Sequence, residues 1–417
     1  MPDYLILFEL AGILIAARLG AEIADRLGAP RVIGELCAGV VLGPSMLGLI
    51  EPNDVIRLLA EIGIILLLFE VGFETDLGRL VRAGMKSASL ALVGFIVPFM
   101  LGFALCRYVF DLSLLVSLFA GGTLTATSIG VTVRILDEIG QTSSQEGQIV
   151  LGAAVIDDVL GVVLLAVLYE FSSTGTVGIV NAGQVLAFVG GFFVLAPLIA
   201  KLLSLGIYRM HTFSSASGVI PTTLVALVLA FAALAHVFGA PELLGGFAAG
   251  VALSRRFFLP LGIALREGDG FDRDVRDQMR PIIQLFTPIF FVMVGLSLDL
   301  SAVDWASGFI WQFSLALVVV AIGGKLVGGL FVNEGRYSRI AIGMAMVPRG
   351  EVGLIFAELG RTSGVFDAEV YAGIVLVIAY TTLLSPFWIR LYYRRFGSRI
   401  AAPASRGPMQ IDSSSNQ

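Results

Sequence analysis

Two adjacent aspartates and one lysine are the residues of this chain best placed to do chemistry. Asp157 and Asp158 interrupt the apolar stretch GAAVIDDVLGVVLLAV, and Lys325 interrupts VVVAIGGKLVGGLFV. A carboxylate inside a membrane span costs about 2.5–3.5 kcal/mol on insertion scales, so each such group needs a partner or a task. Neighbours on a helix point roughly 100° apart, so the two carboxylates share one electrostatic field without meeting the same partner. Confined in low dielectric they titrate as a coupled pair, at which protons compete with a cation. Asp157 and Asp158 are therefore the expected site of that competition. Lys325 requires an acid, and Asp157 or Asp158 is the obvious counter-ion. A buried lysine can also release its proton when its partner engages a cation; a purely structural ion pair is the competing expectation.

Two further segments are built to stand beside these charges. GGTLTATSIG places Thr123, Thr125, Thr127 and Ser128 mid-span, and MVPRGEVGL places Pro348, Arg349, Gly350 and Glu351 in another span. Proline removes a backbone donor and glycine loosens a helix, so both spans are expected to be discontinuous. Their half-helix ends would offer carbonyl and hydroxyl oxygens to a cation and dipoles to balance charge. Arg349 and Glu351 lie at a break, where satisfying helix ends competes with contacting the ion. The span-5 hydroxyls could instead bond back within their own helix.

The elements that carry these residues follow from composition and hydropathy. The 417 residues are 57% AVILMFWYC and only 14% charged, with 49 glycines and a mean hydropathy of +0.92. A water-facing globule of this size cannot be built from so little polar surface, so the chain reads as an all-α polytopic membrane protein. Apolar runs define thirteen spans: Tyr4–Arg18, Val32–Ile50, Val55–Val71, Lys86–Val109, Leu112–Leu136, Gly147–Tyr169, Gln184–Leu205, Val219–Phe238, Leu243–Phe258, Ile282–Leu298, Ala306–Val332, Ile340–Leu359 and Val370–Leu391. Of the 27 Lys and Arg residues, 22 fall in the connections after odd-numbered spans, which predicts an outside N-terminus and a cytoplasmic C-terminus in the cell (inner) membrane. The Tyr4 run lacks a basic leader and cleavage site, and reads as a first span. Residues 262–281 read as a charged surface helix between spans 9 and 10, and residues 396–417 as a short disordered cytoplasmic tail.

The chain also repeats itself. Gly34–Leu42 (GELCAGVVL) recurs as Gly245–Leu253 (GGFAAGVAL), and Phe69–Leu77 (FEVGFETDL) as Val292–Leu300 (VMVGLSLDL). Spans 2 and 3 thus correspond to spans 9 and 10, seven crossings later, and an odd displacement reverses direction: the mark of inverted-topology repeats. Within a transmembrane domain of residues 1–395, the halves are about 4–170 and 219–392, joined by a linker helix at about 184–205. Two cysteines and two histidines suit neither a disulfide framework nor a metal cluster. AIGGKLVG lacks the outer residues of a phosphate loop, the scattered basic residues exclude nucleic acid, and no cofactor is expected. Glu35, Glu70 and Glu74, near span ends, are weaker candidates for a gate, and Gly39-x-x-x-Gly43 and Gly246-x-x-x-Gly250 for close helix packing.

The motifs APRVIGELCAGVVLGPSMLG, LLLFEVGFETDL, AAVIDDVLG, PIFFVMVGLSLDL and MVPRGEVGL together resemble the bacterial sodium/proton antiporters of the second monovalent cation:proton antiporter family, which is related to the Kef potassium efflux systems. The resemblance implies thirteen helices, a core domain with two crossed broken helices, a dimer domain, a homodimer and elevator-like alternating access. It implies Asp158 as the main cation and proton carrier, Asp157 as the acid paired with Lys325, Thr125–Ser128 as the unwound part of the first broken helix, and electrogenic exchange. The Kef regulatory nucleotide-binding domain is not expected here. The competing readings are K⁺/H⁺ exchange, a sodium-coupled symporter of the same architecture, and an intramembrane aspartyl protease. The protease is disfavoured because its two carboxylates must converge from different helices, so the chain is not expected to be an enzyme.

Overall fold

The computed structural model of the chain describes residues 3–74, 77–174, 219–253, 269–301 and 303–400, with single positions 183, 187 and 191. The described residues form fourteen helices and no strand. These are α1 (Asp3–Arg26), α2 (Arg31–Leu42), α3 (Asp54–Glu74), α4 (Leu77–Ala104, prolonged by a π turn Leu105–Val109), α5 (Leu114–Thr123), α6 (Ile129–Glu138) and α7 (Gln145–Thr174). They continue with α8 (Val219–Val237), α9 (Glu242–Leu253), α10 (Asp269–Leu296), α11 (Gly308–Leu330), α12 (Arg336–Ala345), α13 (Glu351–Thr362) and α14 (Ala368–Ile400). Twelve of the expected spans are present, with spans 5 and 12 each split into two half-helices. The expected linker helix lies outside the described residues except for positions 187 and 191; α14 runs to Ile400, five residues into the expected tail, and the rest of the tail lies outside the described residues. Among the described residues, six helices are long and apolar enough to cross a bilayer unaided.

Two boundaries depart from the hydropathy pattern for physical reasons. α2 stops at Leu42, well short of Ile50, because Pro44 disfavours helical backbone at Gly43; the Gly43 N–H still bonds to Gly39. The charged stretch before span 10 is no separate surface helix from Asp269 onward; it is the start of α10. Val275, Met279 and Ile283, spaced four apart, are buried on one face of that start, which anchors it to the bundle while Arg276 and Arg280 are exposed.

The helices sort into two bundles. α1–α3 pack with α8–α10, while α4–α7 pack with α11–α14 as a core. Glu334 clips the core together at one end, accepting from Lys86 Nζ at 2.5 Å and Gln145 Nε2 at 2.6 Å.

Glycine contacts reveal the repeat in three dimensions. A β-carbon at Gly34 would lie 1.9 Å from the Gly20 carbonyl oxygen, and one at Gly245 would lie 2.3 Å from that of Phe231, both members of the pair being 211 residues later. A β-carbon at Gly39 would lie 2.1 Å from Val292 O, and one at Gly250, the mate of Gly39, 2.2 Å from Phe69 O, the mate of Val292. Where α4 crosses α11, Gly328 approaches Gly94 and Gly324 approaches Pro98, so the crossing maps onto itself under a shift of 230 residues. The two halves are thus related by a pseudo-two-fold axis through this crossing.

Such contacts leave no room for a side chain, since backbone cannot give way as a flexible side chain can. Gly39→Ala and Gly250→Ala should each lower the melting temperature of the purified protein by several degrees, whereas Gly323→Ala, which meets nothing within 4 Å, should not. Thermal unfolding monitored by intrinsic fluorescence distinguishes the three.

Candidate functional site

The breaks in the two discontinuous helices form where sequence chemistry stops a helix. α5 ends at Thr123 after Gly121 and Gly122, and α6 restarts at Ile129 with Ser128 as N-cap, its Oγ accepting from the Val131 N–H at 3.4 Å. α12 ends at Ala345, and α13 restarts after Pro348 and Gly350. The two connectors touch: the Ser128 N–H donates to Pro348 O at 2.8 Å, and a β-carbon at Gly350 would lie 2.6 Å from Ser128 Oγ.

Carbonyl groups freed by a break must find donors, because a bilayer interior supplies no bulk water. Thr127 Oγ1 reaches Met346 O at 3.1 Å, Thr132 Oγ1 reaches Ala345 O at 2.9 Å, and Thr125 Oγ1 donates to Gly122 O at 2.8 Å. The Arg349 guanidinium donates through Nη1 to Ala126 O, and Thr382 donates to Arg349 O. The second connector is therefore held by side chains from the first, from α6 and from α14, and the first by Arg349 of the second and by its own Thr125.

Beside this crossover, α7 presents Asp157 and Asp158, 0% and 2% exposed, and α11 presents Lys325, 0% exposed. Lys325 Nζ donates to Asp157 Oδ2 at 2.7 Å, and Thr127 Oγ1 stands 2.7 Å from the same oxygen. The close approach of α11 to α4 through Gly324 and Gly328 carries the lysine to this depth. Thr127 has one hydroxyl proton and two acceptors within reach, Asp157 and Met346 O, so it joins the acid to the opposite broken helix. Around the crossover two buried carboxylates face two buried cations, Lys325 and Arg349. Asp157 acts electrostatically on both cations, and Asp158 acts on Lys325 as well.

Of the expected site residues, the structure brings Asp157, Lys325 and Thr127 into direct contact, places Asp158 next along α7, and sets Arg349 on the Ala126 carbonyl. Ser128 serves as a helix cap, and Thr125 bonds within its own segment. Glu351 opens α13, and its side chain lies outside the described residues. Sequence reasoning passed over Thr132 and Thr382; buried hydroxyls one turn from a break, or in the apolar run AYTTLLS, were the available signal. Among the weaker gate candidates, Glu35 is buried and meets Arg134 at 3.5 Å, Glu70 lines a cavity, and the Glu74 side chain is not described.

That cavity, of about 1020 Å³, lies at the boundary of the two bundles, where arginines and carboxylates of α1, α2, α3, α6 and α10 line it in about equal numbers. It reaches Thr287 and Leu67, one helical turn from Phe290 and Ile64, whose side chains pack against Gly130 at the start of α6.

Inverted repeats, two broken helices crossing at mid-bundle and an acid–lysine pair buried beside them define a secondary-transporter architecture. Residues 13–394 match the transmembrane sodium/hydrogen exchanger family, and the chain belongs to it. It is 34% identical over 428 residues to the high-affinity Na⁺/H⁺ antiporter NhaS3 of Synechocystis sp., spanning 93% of this chain and 90% of that one. It is 34% identical over 384 residues to the Na⁺/H⁺-K⁺ antiporter GerN of Bacillus cereus, spanning 91% and 94%. The solved structure of the sodium proton antiporter MjNhaP1 of Methanocaldococcus jannaschii shares the fold, with a TM-score of 0.68 at 18% identity over 96% of this chain and 98% of that one.

Removing one partner of a buried ion pair leaves an uncompensated charge, at a cost of about 3–5 kcal/mol. Lys325→Met should therefore lower the melting temperature markedly. The double variant Asp157→Asn/Lys325→Met should recover most of the loss, a coupling that a double-mutant thermal cycle measures.

Proposed function

We propose that this protein is a secondary active sodium/proton antiporter that exchanges cytoplasmic Na⁺ for external protons by alternating access. The observation that carries the reading is the Asp157–Lys325 pair at the crossover, with Asp158 beside it. In this reading Asp158 is the main cation and proton carrier and Asp157 contributes to the same site. Lys325 holds Asp157 when no cation is bound. Thr125, Thr127, Ser128, Arg349 and Glu351 shape the crossover. On the cytoplasmic side the carboxylates lose protons and take Na⁺, the core bundle moves past the other, and outside protons displace the ion. The engagement of two acids and one lysine supports electrogenic exchange.

The same proposal places the chain in the second monovalent cation:proton antiporter family with a Kef relation, on the motifs quoted above. It assigns the N-terminus to the outside and the C-terminus to the cytoplasm of the inner membrane, from the distribution of Lys and Arg. It treats residues 1–395 as one transmembrane domain of two repeats and a linker helix. It includes a homodimer, for which the apolar face of α1, with Leu7, Phe8 and Ile15 exposed, is a supporting surface. Potassium as the exchanged ion is the second reading, favoured by the similarity to GerN.

In liposomes with an imposed Na⁺ or K⁺ gradient, the wild type should move protons against the cation, and Asp158→Asn should abolish that movement. The faster ion decides between the two readings. Because protons and cation compete for the same carboxylates, transport should collapse as pH falls through their titration range. A rate that does not depend on pH, or full activity in Asp158→Asn, contradicts the proposal.

A further inference from the structure

α2 begins after Pro30, which offers no side-chain oxygen to the orphan N–H groups of the first turn. The cap comes from the other bundle. Glu138, the last residue of α6, accepts from the Arg31 backbone N–H at 3.0 Å and stands 3.3 Å from that of Val32. One turn earlier on α6, Arg134 lies 3.4 Å from Glu138 and 3.5 Å from Glu35 of α2, which is 3% exposed. A carboxylate at a helix N-terminus also gains from the helix dipole, and the guanidinium compensates the buried Glu35. Arg31, Glu35, Arg134 and Glu138 all line the cavity at the bundle boundary.

The repeat makes this arrangement one-sided. The 211-residue relation of α2 to α9 carries Pro30, Arg31 and Glu35 onto Pro241, Glu242 and Gly246. α6 maps onto α13 by 222 residues, as their caps Ser128 and Gly350 show, and this carries Arg134 and Glu138 onto Phe356 and Gly360. Phe356 is fully buried in an apolar cluster, and Gly360 packs under the Phe366 ring. Gly246 lies against Ile65 backbone, and Glu242 faces His236 at 2.5 Å. No charged bridge between α9 and α13 can form at the mate positions.

In a transporter of inverted repeats, the second conformation exchanges the arrangements of the two halves. We propose that Glu138 on the α2 N-terminus, with Arg134 on Glu35, is a latch between the bundles that exists in this conformation and has no counterpart in the other. It biases the conformational equilibrium toward the state described here. The inference rests on the alternating-access reading above.

The test uses the full chain in nanodiscs, in a Cys37→Ser background, with spin labels at Leu19→Cys on α1 and Leu315→Cys on α11, both exposed. Pulsed electron spin resonance then reads the separation of the bundles. The wild type should show two distances, the one of the present structure dominant. Glu138→Ala should raise the population of the other by about fivefold, the range expected for loss of a helix cap. Glu138→Gln, which keeps size and fold, should shift it in the same direction. Glu334→Gln, whose bonds stay inside the core, should leave it unchanged. Two distances whose proportions neither Glu138 variant alters contradict the latch alone; a single distance under every ion and pH condition contradicts alternating access itself.

Discussion

A charge buried where water cannot reach it must be neutralised by another charge, and the Asp157–Lys325 pair is where this chain meets that constraint. The pair is satisfied only while both partners stay in contact, so anything that occupies Asp157 frees the lysine. Asp158, on the same turn and in the same field, adds a second buried carboxylate, so that two acids stand against the two buried cations Lys325 and Arg349 around the crossover. In the proposed exchange, an entering cation therefore competes with Lys325 for Asp157.

The rest of the core serves to keep this site at depth without unsatisfied backbone. Breaking two helices at the crossover frees carbonyls that would be ruinous in lipid, and Thr127, Thr132, Thr382 and Arg349 answer them one by one. Most of the oxygens expected as ion ligands are consequently already engaged. Thr127 joins Asp157 to the opposite broken helix. Close glycine contacts hold the two halves in register around a pseudo-two-fold axis.

Much of this was legible in the residues. The apolar runs, the broken spans marked by Thr-Ala-Thr-Ser and Pro-Arg-Gly, and the repeat all appear in the order of side chains, because membrane spans are long and their breakers few. Spacing alone did not say which acid meets Lys325, since two aspartates 100° apart on one helix are equivalent until α11 is placed against α7; only the family resemblance implied Asp157, the acid that the lysine contacts. The target of Arg349 was hidden for the same reason: it lies on a carbonyl 223 residues away. Hydropathy also ran α2 through Gly43–Pro44 and separated the charged start of α10 from its span, because hydropathy averages over turn chemistry and over a single buried face.

The most direct test of the central claim is the proton count on cation binding. Purified protein in weakly buffered detergent at slightly alkaline pH is titrated with Na⁺ while the pH of the medium is followed. If protons and cation compete for Asp157 and Asp158, Na⁺ binding acidifies the medium, and Asp158→Asn loses that release. Cation binding with no proton release, or undiminished release in Asp158→Asn, would contradict the account.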